Sequence, residues 1–146
     1  MIKDFKRLIS SERIKACLCE FDDCYARLTK RIDNIDILVS KLSSNGIVIR
    51  FSEDGITKGI VCFYANDSIN HCGYISIIWV NKDYRNEGIG TALLEFCLDD
   101  MRKRGMIKAQ LEVEEDNKRA ISFYRKNGFA IMNRAQENSF YMVRSI

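Results

Sequence analysis

The sequence has no proline and only one histidine, His71, among its 146 residues. The missing proline rules out a proline-rich linker, and no repeat or low-complexity segment marks a boundary between domains. A lone histidine makes a histidine-based metal site a poor fit. The six cysteines (Cys17, Cys19, Cys24, Cys62, Cys72 and Cys97) include no C-x-x-C pair, so zinc is not expected either. Cys62, Cys72 and Cys97 lie inside apolar patterns, where a free thiol behaves as a small hydrophobe. His71 stands beside Cys72 in a polar loop, a pairing read as incidental rather than as a nucleophile and its base. No run approaches the ~18 apolar residues of a membrane span, and the charged start (Lys3, Asp4, Lys6, Arg7) is not followed by a signal-peptide core. The net charge of +3 is too small to indicate nucleic-acid binding. A cytosolic protein is expected, with neither nucleic acid nor membrane as partner.

An apolar content of 47% is ample for one continuous core, so residues 1–146 are read as a single domain. Residues 2–30 and 33–43 carry helical spacing, with Ile14, Leu18, Phe21, Tyr25 and Leu28 on one side and Ile35, Leu38 and Leu42 on another. Gly46 breaks this pattern. Ile47–Ser52 and Gly59–Ala65 read as strands joined through Glu53-Asp54-Gly55, and Asn66–Asn70 as a further turn. The β-branched and aromatic run Tyr74–Val80 suits a mostly buried strand. Leu93, Leu94, Cys97, Leu98 and Met101 then mark one face of a helix. Strand Lys108–Glu114, a short helix, and strands near Phe129–Arg134 and Ser139–Arg144 complete an α+β order.

Between the buried strand and the long helix lies Tyr84-Arg85-Asn86-Glu87-Gly88-Ile89-Gly90-Thr91. Backbone without side chains at a helix start lets N–H groups converge on an anion where the dipole favours negative charge. A dinucleotide fingerprint would need a small third residue, but Leu93 occupies that position. No Gly-Lys-Ser/Thr tripeptide supports nucleotide hydrolysis.

The remaining pattern, Arg85-x-x-Gly88-x-Gly90 opening a helix after a strand, resembles the acetyl-coenzyme A motif of the GCN5-related N-acetyltransferases. A second stretch is similar to that family's other motif: after Leu111–Glu114 come Asn117, Ala120, Tyr124, Gly128 and Phe129 in the spacing N-x-x-A-x-x-x-Y-x-x-x-G-F. Asp116 or Asn117 can cap the short helix and Gly128 can end it. The resemblance spans roughly residues 47 to 146; the first 46 match only as a variable helical region.

The resemblance implies a mixed, mostly antiparallel sheet of six to seven strands with a splayed, V-shaped opening, flanked by about four helices. It implies acetyl-CoA as cosubstrate, no metal, and transfer of the acetyl group to a primary amine by direct attack. In family terms, the main chain of Ile78, Trp79 and Val80 pairs with the pantetheine arm. Arg85, Asn86, Glu87, Gly88, Ile89, Gly90 and Thr91 cradle the pyrophosphate, Asn117 hydrogen-bonds the coenzyme, and Tyr124 stands near its sulfur. A phenol with a reference pKa of about 10 can protonate a departing thiolate of about 8.5. Glu112 alternates with Leu111 and Val113, so its carboxylate and that of Glu114 face the opposite side of the sheet. Its twelve-residue separation from Tyr124 is similar to the pair in ribosomal-protein alanine N-acetyltransferases. That makes Glu112 the candidate base, with a pKa that would need raising toward ~6–7. A small-molecule acceptor such as an amino sugar is favoured over a protein N-terminus, and a catalytically silent coenzyme-binding module is the alternative of another class. Either a monomer or a homodimer is compatible.

Overall fold

A computed structural model describes residues 3–146. The element order is β1 (Lys3–Leu8), α1 (Ser11–Cys19), α2 (Asp22–Arg31), α3 (Ile35–Asn45), β2 (Ile47–Glu53), β3 (Ile56–Tyr64), β4 (Cys72–Val80), α4 (Ile89–Lys103), β5 (Lys108–Glu114), α5 (Lys118–Lys126), β6 (Ala130–Gln136) and β7 (Ser139–Ser145), with a 3-10 turn at Lys82–Tyr84. The seven strands form one sheet in the order β1-β2-β3-β4-β5-β7-β6. Every neighbouring pair is antiparallel except β4 and β5.

Helices cover both faces. On one side α4 and α5 bury Leu93, Leu94, Leu98, Met101 and Ile121 against Phe63, Leu111 and Met142. On the other, α1 to α3 bury Ile14, Leu18, Leu28, Val39 and Leu42 against Val48, Ile60 and Ile77. Four cysteines are fully inside these layers, and all six are free. Burial pushes the Cys17 and Cys24 thiols up to about 12, and Cys62 and Cys97 also rise, so these groups stay protonated and unreactive at neutral pH.

The helical reading of residues 2–30 needs correction; its first position lies outside the described residues. Lys3–Leu8 is an edge strand paired with β2, not the start of a helix. Phe5 and Leu8 are three residues apart, a spacing that suggests one helical face. Three is also an odd number, so in a strand the two side chains point to opposite faces. Phe5 packs on Phe51 and Phe96 at 4.9 and 5.0 Å, while Leu8 joins the opposite core. The rest of the stretch divides into two helices: Ser10 caps α1 by accepting from the Arg13 amide at 3.2 Å, and the chain breaks at Glu20-Phe21 before α2. Five α-helices result where about four were expected. The remaining strands fall within a few residues of their predicted limits, and β2 and β3 are joined at Asp54-Gly55, both at positive φ. On α4, Asp100 pairs with Arg104 one turn on, at 2.8 Å, and Asp99 pairs with Arg102.

What positions the site is an irregularity in β4. Cys62 of β3 pairs with Ile77 and Phe63 with Ile75, leaving Ser76 as an extra residue. Such a bulge bends its strand and reverses the alternation. Accordingly Ile75 packs into the α4 core but Ile77, two residues later, packs into the α1–α3 core. On the other edge of β4, pairing with β5 runs only from Cys72–Lys108 to Ile75–Leu111 and then stops. Beyond that point the two strands part.

Gly59 lies opposite Val80 on the paired side of this bent segment. A Cβ there would stand 2.7 Å from a Leu93 methyl and 3.1 Å from the Trp79 carbonyl oxygen. Gly59→Ala should therefore lower the urea unfolding free energy by about 1–3 kcal/mol, the usual cost of overpacking a core. Unchanged stability would mean that α4 can back away from the sheet.

Candidate active site

The gap between β4 and β5 opens into a cavity of about 580 Å³. Its walls include Cys24, Arg27, Leu28 and Arg31 from α2, and Phe123 and Tyr124 from α5. Because α2 and α5 cover opposite faces of the sheet, the cavity runs through it.

At one end is the loop before α4. Gly88 takes φ 84°, and a Cβ on it would meet nothing within 4 Å. It caps the fifteen-residue helix α4 with no side-chain hydrogen bond, and the first turn holds no acidic residue. The first amide groups of a helix lack intrahelical partners, and here no acidic side chain of the first turn and no side-chain cap engages them. Asn86 also has positive φ, 65°, turning the peptide ahead of the helix start. Such a concave run of amides suits an anion. Gly90 is closer to its surroundings, where a Cβ would lie 3.3 Å from the Phe123 ring. The loop is braced underneath by Lys58, whose ammonium lies 2.7 Å from Glu53 and 4.4 Å from the centre of the Tyr84 ring.

Arg85, which opens this loop, is held by α2 and the end of β4. Its Nε donates to the Val80 carbonyl at 3.2 Å, its Nη2 to Asp23 at 2.7 Å, and its guanidinium lies 5.4 Å from the Trp79 ring centre. Ile78, Trp79, Val80, Arg85, Asn86, Gly88, Ile89, Gly90, Thr91, Glu112, Asn117 and Tyr124 all line the cavity; of the residues singled out from the sequence, only Glu87 does not. Beyond Ile75, β4 has no β5 partner, which leaves main chain between Ser76 and Val80 free to bond a ligand on that edge. Asn117 is the cap of α5, accepting from the Ala120 amide at 3.2 Å.

Tyr124 comes from the α4–α5 face. It is buried against Phe123 and Phe129, with ring centroids at 5.3 and 5.6 Å. Burial pushes its pKa well above the ordinary value, so it is a neutral phenol, a hydrogen-bond donor, throughout the physiological range. The two glutamates come from the other face, as the alternation of β5 requires. Glu112 accepts a 2.7 Å hydrogen bond from Ser139, and Glu114 is engaged by Arg27 at 2.9 Å and Arg31 at 3.2 Å. The two carboxylates are thus distinguished: α2 neutralises Glu114, while among the described residues Glu112 is bonded by a hydroxyl and by no cation.

The resemblance implied an acceptor pocket built largely from residues 20–46 and 132–141, which include α2 and Ser139, but neither Ser139 nor the charged face of α2 was singled out, and Ser76 was missed. The bulge at Ser76 leaves no compositional mark. For α2 a signal existed: Asp23, Arg27 and Arg31 recur every four residues and so form one stripe. Among the described residues, no cluster of three or more His, Cys, Asp or Glu is arranged to hold a metal ion, and no helix is long and apolar enough to cross a membrane.

Known proteins resemble this chain in sequence and in fold. The chain is 46% identical over 57 residues to N-alpha-acetyltransferase 30 of Schizosaccharomyces pombe, covering 39% of this chain and 38% of that protein. It is 44% identical over 52 residues to the ribosomal protein bS18-alanine N-acetyltransferase of Escherichia coli, covering 36% of this chain and 35% of that one. It therefore matches little more than a third of the length of these relatives. The crystal structure of PaiA N-acetyltransferase from Thermoplasma acidophilum in complex with coenzyme A superposes over all of both chains, with a TM-score of 0.73 and 18% identity. That of the Escherichia coli ribosomal-protein-S18-alanine enzyme covers 99% of this chain and 94% of its own, with a TM-score of 0.72 and 19% identity. Strands that part beside a glycine cradle, the seven-stranded order and a family model matching residues 11–129 lead to one conclusion: the chain belongs to the acetyltransferase (GNAT) family.

Proposed function

We propose that this protein is an N-acetyltransferase that takes its acetyl group from acetyl-CoA. The observation that carries the reading is the cavity through the sheet, which has an anion-receptive helix start on one side and an unneutralised carboxylate on the other. The fit to the donor rests on this chain's own atoms: an uncapped α4 with open space over Gly88 suits a pyrophosphate, and the unpaired edge of β4 suits an amide-bearing arm. When bound, acetyl-CoA supplies an acetyl thioester.

The residues then divide the work. Amides of the Asn86–Thr91 segment hold the diphosphate, Asn117 adds a hydrogen bond, and the main chain of Ile78–Val80 aligns the arm and polarises the carbonyl. Tyr124, kept protonated by burial, donates to the departing sulfur and is restored by the second proton that the attacking nitrogen sheds as the amide forms. Glu112 accepts the proton that the ammonium must lose before it can attack, directly or through water. Because the reactants meet inside a gap between fixed strands, positioning supplies much of the acceleration.

For the acceptor we favour the α-amine of a protein N-terminus over the amino sugar. Support comes from the sequence relatives, whose names describe N-alpha and ribosomal-protein alanine acetylation. Release of free CoA should be seen with N-terminal peptides, including one that begins with alanine, and not with amino sugars. Turnover of amino sugars alone would reverse the choice of acceptor and leave the transferase reading intact.

Acetyl-CoA should raise the thermal midpoint, with about 2.7 kcal/mol of stabilisation at a hundredfold excess over its dissociation constant. Gly90→Val, which would press on Phe123 inside the cradle, should cut that affinity more than tenfold while the protein still folds. No midpoint shift with millimolar acetyl-CoA would remove the donor assignment. Tyr124→Phe keeps the aromatic packing and should lower kcat by the ~10²–10⁴ typical of general acid catalysis with little change in acetyl-CoA affinity. Glu112→Gln, which removes the acceptor of the amine proton, should lower kcat with little change in acetyl-CoA affinity. An unchanged kcat in the phenylalanine variant would reduce Tyr124 to a packing residue.

A further inference from the structure

Asp23 sits in the first turn of α2 and uses both carboxylate oxygens. Oδ1 accepts from the Trp79 indole at 3.2 Å and from the Cys24 amide at 3.1 Å, and Oδ2 accepts from Arg85 at 2.7 Å. Arg85 closes the cluster by donating to the Val80 carbonyl and lying over the Trp79 ring. Side chains from α2, the end of β4 and the phosphate loop therefore meet at one carboxylate. They meet where β4 is paired with β3 on one edge and with nothing on the other. About one and two turns further along α2, Arg27 and Arg31 grip Glu114 at the end of β5. One helix thus holds both of the strands that have parted.

We propose that Asp23 is a positioning residue for acetyl transfer: through Trp79 and Arg85 it fixes the open end of β4 and the phosphate loop relative to α2, and α2, anchored on Glu114, sets the width of the gap. Asp23 itself does not line the cavity, so it acts through the two residues it holds. The side chains of the Asp23–Arg85 pair are 38% and 25% exposed, so the pair contributes little to global stability. Its consequence is geometric. Val80, whose carbonyl Arg85 binds, ends the strand whose amides must align the donor, and Arg85 opens the loop whose amides must receive the diphosphate. Holding the two together before binding removes an ordering cost from the bound state. Asn at position 23 could still accept from the indole, but its amide nitrogen would then face the donors of Arg85.

The inference rests on acetyl-CoA being the donor. Its test is a double-mutant cycle of Asp23→Asn and Arg85→Gln, read by calorimetric affinity for acetyl-CoA, urea unfolding, and emission of Trp79, the only tryptophan in the chain. Each single variant should bind acetyl-CoA about tenfold more weakly with a nearly unchanged urea midpoint, and the double variant should be no weaker than the weaker single one. Ligand-free Asp23→Asn should also show altered Trp79 emission and greater quenching by iodide. Additive losses, unchanged or tighter acetyl-CoA binding, or a large stability loss with normal affinity in the folded fraction would each overturn the role of Asp23. If the parent protein binds no acetyl-CoA, the donor assignment fails and the positioning role falls with it. Altered Trp79 emission with acetyl-CoA binding intact in all variants would likewise leave a contact without a function and overturn the proposal.

Discussion

The separation of β4 from β5 after a few paired residues is the constraint on which the rest of this structure depends. Two neighbouring parallel strands ordinarily satisfy each other's backbone groups along their length, and an unpaired polar group away from water is costly. Here the ladder stops at Ile75 and Leu111, although β4 continues to Val80 and β5 to Glu114. The extra residue at Ser76 bends β4 on its other edge and makes the divergence possible without breaking the pairing with β3. What would be a defect in a closed sheet becomes an edge with free hydrogen-bonding capacity inside a cavity.

Everything chemically notable is arranged around that opening. The α4 helix starts at its rim with no side-chain cap and no acidic residue in its first turn, and Gly88 brings the chain round with a positive φ and leaves open space beside it. Tyr124 enters from the α4–α5 face, dry enough to remain a phenol, while Glu112 and Glu114 enter from the α1–α3 face because the alternation of β5 sends them there. The α2 helix spans the outside of the gap through ion pairs. Pairs this exposed are individually worth about 0–1 kcal/mol, so they can set the geometry of the opening without stiffening the whole domain. The deep layers are held instead by apolar burial on both faces of the sheet, cysteines included.

How much of this was legible from the sequence follows from the range of the interactions involved. Local signals carried far: the β-branched run of β4, the glycines before α4, the cap and stop of α5 and the alternation of β5 all act within a few residues, and all appear in the structure close to where they were read. The failure at Lys3–Leu8 is instructive in the same terms. Phe5 and Leu8 have a spacing compatible with either period, and only the presence of β2 alongside, with Phe51 to receive Phe5, decides for a strand.

The sequence by itself determined the class of the elements from Ile47 onward, the glycine-bearing loop before α4, and which face of β5 carries its carboxylates, because each depends on backbone sterics or side-chain period along one stretch of chain. The tertiary structure alone decided that β4 parts from β5, that Arg85 pairs with Asp23, and that Glu114 is held by two arginines while Glu112 accepts from a serine. These outcomes join residues dozens of positions apart, such as Asp23 with Arg85 and Arg27 with Glu114. No local propensity records which distant partner will stand opposite once the layers have packed, and it is that packing that gives otherwise equivalent charges different roles.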